Sequence, residues 1–334
     1  MQLAQEKGPS GITANIRRAL ITGGSGFIGS HLVDRLLERG EGVTVYDNLS
    51  SGHFKWIEAH IGDPRFRFVH ADVLDLERLC VEMSGHHAVW HLAANGDIRR
   101  GFQETDLDIN QSVIGTRNVL EAMRRTGVRD ILFSSSGSVY GETGITPTPE
   151  TAGPLLPLSF YAAAKLSAEA FISAFSSLFG LRGWIFRFGN VVGTRMSRGV
   201  THDFIRKLRA NPAELEVLGD GMQEKPYFTV GDCISGMLHA YERIPLTAEK
   251  CCDIFNLGCA SRTTVARIAR IVIEEMELPN ARIRYTGGRQ GWPGDQPQVD
   301  LSFEKMERNG WTSSLTSDEA VRQTAHALIQ AAGV

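Results

Sequence analysis

Ten residues near the amino end, Leu20-Ile21-Thr22-Gly23-Gly24-Ser25-Gly26-Phe27-Ile28-Gly29, constrain this chain more than any others. The apolar run ending at Thr22 reads as a buried strand. From Phe27 the apolar residues change to helical spacing (Phe27, Ile28, Leu32, Leu36, Leu37), and Gly40 is a suitable residue to end that helix. Gly24, Gly26 and Gly29 fit the dinucleotide fingerprint, in which one glycine permits the tight turn, one lets a pyrophosphate approach the backbone, and one lets helix and strand pack closely. The helix N-terminus then offers free N–H groups and a positive dipole end to the phosphates. A second strand, Val43 to Asp47, ends in an acid 18 residues after Gly29, where a carboxylate meets an adenosine ribose hydroxyl. Asp47 would repel a 2′-phosphate, so NAD is expected rather than NADP.

The rest of the first half repeats this alternation. Phe66–Ala71, Ala88–Ala93, Ile131–Ser134 and Trp184–Phe188 read as further strands, and Ile109–Arg125 and Phe160–Phe179 as long helices. The pattern predicts an α/β fold, a doubly wound parallel (Rossmann) sheet over residues 17–190, with ligands at the carboxyl ends of its strands. From about residue 191 proline and glycine become frequent. Helices are expected at Val200–Arg209, Val230–Glu242 and Val265–Met276 in a smaller α/β substrate lobe over 191–334, interleaved with the first part because Phe255–Leu257 can rejoin the main sheet. Residues 1–16 read as a polar tail without the apolar core of a signal peptide.

Composition narrows the function classes. The 334 residues carry 35 Lys and Arg against 38 Asp and Glu, with no basic tract, which argues against nucleic acid as a partner. No apolar run approaches the roughly 18 residues that suggest a membrane span. The five cysteines, Cys80, Cys233, Cys251, Cys252 and Cys259, are odd in number and include no CxxC pair. They read as reduced thiols of a cytoplasmic protein, and Cys251, Cys252 and Cys259 are poorly spaced for a metal, so none is expected.

The chemistry concentrates at Tyr161 and Lys165, four residues apart and therefore on one helix face. A phenol with a pKa of about 10 is a poor base at neutral pH. A neighbouring ammonium and an oxidised nicotinamide ring would stabilise the phenolate, which could then take a proton from a sugar hydroxyl. The strand end Ser134-Ser135-Ser136-Gly137-Ser138 supplies a serine to hydrogen-bond the reacting oxygen.

Taken together, Thr22-Gly-Gly-x-Gly-Phe-Ile-Gly29, Asp47-Asn-Leu-Ser-Ser-Gly52, His91-Leu-Ala-Ala94, Ser135-Ser-x-x-Val-Tyr-Gly141, Tyr161-x-x-x-Lys165, Arg187-Phe-x-Asn190-Val and Leu218-Gly-Asp-Gly221 resemble an extended short-chain dehydrogenase/reductase of the NAD-dependent nucleotide-sugar epimerase/dehydratase group. The match runs from about residue 18 to 312, and the nearest branch is that of UDP-glucose 4-epimerase-like proteins. The resemblance implies cofactor contacts from Gly23, Gly26, Phe27, Ile28 and Gly29, from Asp47, Asn48, Ser51 and Gly52 at the ribose, and from Asp72 and Val73 at the adenine. Leu92, Ala93, Ala94, Ser134, Tyr161 and Lys165 would serve the nicotinamide side. It implies Ser136, Tyr161 and Lys165 as catalytic. For the nucleotide sugar it implies Asn95, Ser136, Gly137, Ser138, Asn190, Val200, Phe204, Lys225, Arg289 and Val299.

Reaction type also follows from the resemblance. Dehydratases of the group carry Asp-Glu after the catalytic threonine and decarboxylases keep the glutamate. Here Gly137 and Ser138 stand there, so 4-epimerisation through a transient 4-keto sugar is expected, with a dehydratase or reductase and a non-catalytic dinucleotide sensor as alternatives. Lys225 replaces an arginine common in relatives, losing its bidentate fork. Arg289 lies in a variant Arg289-Gln-Gly-Trp-Pro-Gly-Asp295 segment. Val299 either gates sugar size or simply packs. His91 reads as a structural hydrogen-bonding residue. Arg99 and Arg100 either solvate or reach the sugar, solvation being the commoner case. Surplus apolar residues on Phe160–Phe179 suggest a partner helix, and relatives dimerise through a four-helix bundle of the two long helices, so a homodimer is expected.

Overall fold

The computed structural model describes residues 16–291, 296 and 298–331. Nearly all of the expected polar tail, and residues 292–295 of the Arg289–Asp295 segment, lie outside the described residues.

Seven parallel strands form one sheet. Six are β1 (Arg18–Thr22), β2 (Gly42–Asp47), β3 (Phe66–His70), β4 (Ala88–His91), β5 (Asp130–Ser136) and β6 (Arg182–Phe188); the seventh is Cys252–Leu257. Their spatial order is Cys252–Leu257, β6, β5, β4, β1, β2, β3. The order reverses between β1 and β4, which pair in the register Thr22↔His91, and a ligand crevice opens at such a reversal. Both faces of the inner strands are covered, so strands such as β1 and β6 read as near-continuous apolar runs, whereas β3 at the edge is only partly buried. Ala19 and Ile21 pack among residues of helices Phe27–Glu38 and Val230–Arg243, whereas Leu20 points into the layer of Gly115–Thr126 and Phe160–Phe179. Each Leu or Ile buried this way is worth about 1.5–3 kcal/mol.

The helix Phe160–Phe179 has the bounds its sequence implies. Ser159 Oγ accepts the Ala162 N–H at 3.2 Å at its start, and Gly180 ends it in the left-handed conformation, φ 69°. The other long helix differs from expectation. A short turn, Thr105–Asp108, leads into a π-helical stretch, Ile109–Ile114, before regular helix resumes over Gly115–Thr126. A π-helical stretch changes the phase of the helix, a feature common near functional sites. Asp108, Ser112 and Thr116 are all buried along this segment. Gly115 permits it: a Cβ there would sit 2.8 Å from Val73 Cγ2.

The remaining lobe has its own core, drawn from helices Val200–Ala210, Val265–Glu275 and Ser317–Ala331 and from the parallel strand pair Glu214–Val217 and Arg282–Tyr285. The last helix and this strand pair are absent from the sequence reading; Ala320, Val321 and Ala325, small residues, line the buried side of the helix and give a weak periodic signal. Among the described residues no helix is long and apolar enough to cross a membrane.

Candidate active site

The glycine turn leaves no room for side chains. Gly23 has φ 71°, and a Cβ on it would lie 2.7 Å from the Ala93 nitrogen; one on Gly29 would lie 2.2 Å from the Gly23 carbonyl oxygen. Helix Phe27–Glu38 starts from Gly26 with no side-chain cap and no acid in its first turn. Its first N–H groups therefore face a cavity at the carboxyl ends of β1, β2, β4 and β5. Gly23, Gly26, Phe27, Ile28, Gly29, Asp47, Asn48, Ser51, Gly52, Val73, Leu92, Ala93, Ala94, Ser134, Tyr161 and Lys165 line it, with Asn95. Asp72 does not. Its carboxylate accepts the Asn48 amide at 2.7 Å and the Leu74 N–H at 2.9 Å, so it acts on the cavity by fixing Asn48. Asp47 accepts the N–H groups of Ser25 and Leu49 at 2.9 and 2.8 Å; burial raises its pKa and these bonds oppose the rise. Gly52 closes on the turn, since a Cβ there would be 2.7 Å from the Ser25 oxygen.

At the inner end stand Tyr161 and Lys165. The Lys165 ammonium donates to the Ser134 carbonyl at 2.5 Å and lies over the Phe133 and Tyr161 rings, 4.7 and 5.9 Å from their centroids. Burial pulls its pKa down to about 7, against the opposing pull of Asp108 and Glu169. Tyr161 is pushed up to about 12 by burial, a hydrogen bond from Ser136 pulling the other way and Asp108 adding to the rise. Ser136 Oγ accepts from the Ser138 N–H at 3.2 Å and from the Ser138 hydroxyl at 2.9 Å, which leaves its own hydroxyl proton for the phenol or a substrate oxygen. Gly137 is packed: a Cβ there would lie 3.0 Å from Leu301 Cδ1 and 3.2 Å from the Phe188 carbonyl oxygen.

Among the supporting residues Glu169 is not in the sequence reading, Arg187 and Tyr140 enter it only as parts of motifs, and His91 has the hydrogen-bonding role expected of it. Glu169, one turn beyond Lys165, is buried and pairs with buried Arg187 through two bonds, Nη2 to Oε2 at 2.6 Å and Nε to Oε1 at 3.0 Å, and also accepts the Ser135 hydroxyl. This ties β5, β6 and the catalytic helix together. Arg187 also lies over the Tyr140 ring, whose hydroxyl donates to Asn256 at 2.7 Å. Fully buried His91 bridges Thr22 Oγ1, at 2.7 Å, and Thr116 Oγ1, at 2.9 Å; burial and the Lys165 charge drop its pKa to about 3, so it is a neutral strut at physiological pH. The repeat Asp108, Ser112, Thr116, every fourth residue, is the one signal by which sequence could have found this inner polar line.

A second cavity meets the first at Gly96. Of the residues expected to hold the sugar nucleotide, Asn190, Val200, Phe204 and Lys225 line it. Ser136, Gly137 and Ser138 sit at the end of β5. Arg289 and Val299 line neither cavity: Arg289 is exposed, with its carbonyl taking the Gln223 amide at 3.4 Å, and Val299 packs beside Val139, Tyr140, Leu301 and Phe303. Arg100 lines the second cavity while held bidentately by Glu104 at 2.9 and 3.0 Å. Among the described residues no cluster of His, Cys, Asp and Glu is placed to hold a metal ion.

A family model described as the NAD dependent epimerase/dehydratase family matches residues 19–258. A UDP-glucose 4-epimerase of Mycolicibacterium smegmatis is 36% identical over 308 residues, 85% of this chain and 95% of that protein. A putative UDP-glucose 4-epimerase of Methanocaldococcus jannaschii is 32% identical over 313 residues, covering 92% and 97%. Among solved structures, a UDP-galactose 4-epimerase superposes with a TM-score of 0.82 at 37% identity, covering 94% of this chain and 99% of that one.

Proposed function

From the premise that the chain belongs to the NAD dependent epimerase/dehydratase family, we propose that it is an NAD-dependent nucleotide-sugar 4-epimerase, with UDP-sugars as the first substrate class. NAD fits the first cavity because Cβ atoms at Gly23, Gly29 and Gly52 would fill the cradle, the helix N-terminus is uncapped, and buried Asp47 excludes a 2′-phosphate. When bound, NAD supplies a reversible hydride acceptor. The chain's residues do the rest. Ser136 donates to the C4 oxygen, Tyr161 takes its proton, and Lys165 stabilises the phenolate. The 4-keto sugar would turn its other face toward the cofactor side between the two half-reactions, and Tyr161 would then return the proton to the C4 oxygen.

The observation that carries this reading is the end of β5, where Ser136 hydrogen-bonds Tyr161. It offers Ser136 and Ser138 hydroxyls and a Gly137 crowded by Leu301, with no carboxylate in those positions to remove water from the sugar. The test is turnover with no added cofactor on UDP-, dTDP-, GDP-, CDP- and ADP-sugars in deuterated buffer. A C4 epimer of unchanged mass is expected. A product lighter by water or carbon dioxide would move the protein to the dehydratase or decarboxylase branch, and turnover only in a parallel run with added reduced cofactor, consumed stoichiometrically, to a reductase.

A homodimer belongs to the same reading. Both charges of helix Phe160–Phe179, Lys165 and Glu169, are buried, and its exposed side presents Ala163, Ala170, Phe171, Ala174 and Leu178. Ile109 and Ile114 are exposed on the other long helix. A Leu178→Asp variant is expected to sediment at half the mass of the wild type; a monomeric wild type would remove the claim.

A further inference from the structure

Two carboxylates act on Lys165, and they are held differently. Glu169, on the same helix, has its charge matched by the bidentate Arg187 guanidinium and a third bond from Ser135. Asp108 reaches the same region from the turn before the π-helical stretch. It is fully buried, and its Oδ1 accepts only a neutral amide, Asn95 Nδ2, at 3.1 Å; Oδ2 has no partner among the described residues. Asn95 is itself fixed: its oxygen accepts the Asp97 N–H at 2.9 Å and its amide also donates to the Asp97 carbonyl at 2.9 Å. Gly101 makes the room, since a Cβ there would lie 2.1 Å from Asp108 Oδ2. An unpaired buried carboxylate is costly: burial raises the pKa of Asp108, and the Asn95 amide and the Lys165 charge oppose the rise and favour the carboxylate.

We propose that Asp108 is a positioning residue of the acid–base pair: held by Asn95 against Gly101, its carboxylate is the unmatched negative charge that keeps the Lys165 side chain an ammonium. This deepens the reading of Tyr161 and Lys165 as the catalytic pair and rests on it. The groups facing them are few. From β4, His91 is neutral. From β5, Ser134 offers only a hydroxyl and a carbonyl. From the catalytic helix come Glu169, matched by Arg187 of β6, and Tyr161 itself. Asp108 is thus the charge whose removal Lys165 and Tyr161 both feel. It raises the pKa of the ammonium, favouring the charged form, and raises that of the phenol, disfavouring the phenolate. Removing it lowers both, so both limbs of a pH profile move toward acid.

The test is Asp108→Asn, which keeps size and the bond to Asn95 and removes the charge. It is read in the full chain with NAD bound. The tyrosinate absorbance difference between a protein and its Tyr161→Phe counterpart reports Tyr161 ionisation with no substrate present, and the pH profile of kcat reports the pair at work. Asp108→Asn is expected to move both midpoints down by about one pH unit, and Gly101→Ala, which displaces the carboxylate, to move them less in the same direction. Midpoints unchanged in Asp108→Asn, whatever its melting temperature or overall rate, would overturn the proposal. Should Asp108→Asn not fold, unchanged midpoints in Gly101→Ala would do so. A chain that turned over no nucleotide sugar would defeat the proposed function while leaving the tyrosinate reading intact.

Discussion

The two cavities of this protein are walled by different kinds of matter. The cofactor side is made of backbone and buried side chains at the ends of a seven-stranded sheet, with Gly29 against the Gly23 carbonyl, Asp47 between two N–H groups, and Lys165 on the Ser134 carbonyl. The substrate side is made of short elements and half-exposed ion pairs, such as Lys207 with Glu216 at 3.4 Å and Arg198 with Asp97 at 3.7 Å. Buried, hydrogen-bonded groups hold one geometry, while exposed pairs are worth little and rearrange easily. The contrast suits one chemistry carried out on sugars that can differ: the hydroxyl must meet Tyr161 in one place, whereas the rest of the ligand needs a wall that adapts.

Substitutions on the cofactor side should therefore cost most. Tyr161→Phe removes only the phenolic oxygen, and kcat is expected to fall by about 10²–10⁴-fold while bound NAD is retained; a loss of NAD in that variant would mean the phenol holds structure rather than protons. Glu169→Gln leaves Arg187 buried and unmatched. A loss of about 3–5 kcal/mol in a denaturant titration is expected, and a loss near zero would show that the β5–β6–helix tie is not the rigid element claimed. Across the boundary the effects should shrink. Arg198→Ala is expected to raise KM severalfold at most, with kcat near wild type and the effect fading at high salt. A collapse of kcat there would erase the distinction between the two walls.

The same division governs how much could be read from the chain. The glycine turn, Asp47 and the Tyr161–Lys165 pair are legible because backbone geometry and helix periodicity demand those residues at those spacings. All but one of the expected cofactor residues line one cavity, the exception being Asp72, which works through Asn48. Asp108, Thr116, Glu169 and Arg187 were not legible as a group: Arg187 shows only as part of a motif and Asp108 and Thr116 only as a repeat, and none of these names the partner that the fold buries beside it. The π-helical stretch at Ile109–Ile114 leaves no periodic mark that separates it from regular helix. In the substrate lobe, strands as short as Glu224–Lys225 and Thr263–Thr264 carry no pattern at all, which is why its architecture, and the placement of Arg289 and Val299 outside the linings of both cavities, are set by tertiary packing alone.

The central claim is that hydride leaves C4 and returns to it within one active site, with Tyr161 moving only the hydroxyl proton. It is tested most directly with UDP-glucose carrying deuterium at C4, incubated in ordinary water with no added cofactor. The account expects UDP-galactose with the deuterium still on C4. An epimer that had exchanged its C4 deuterium for solvent hydrogen would contradict it.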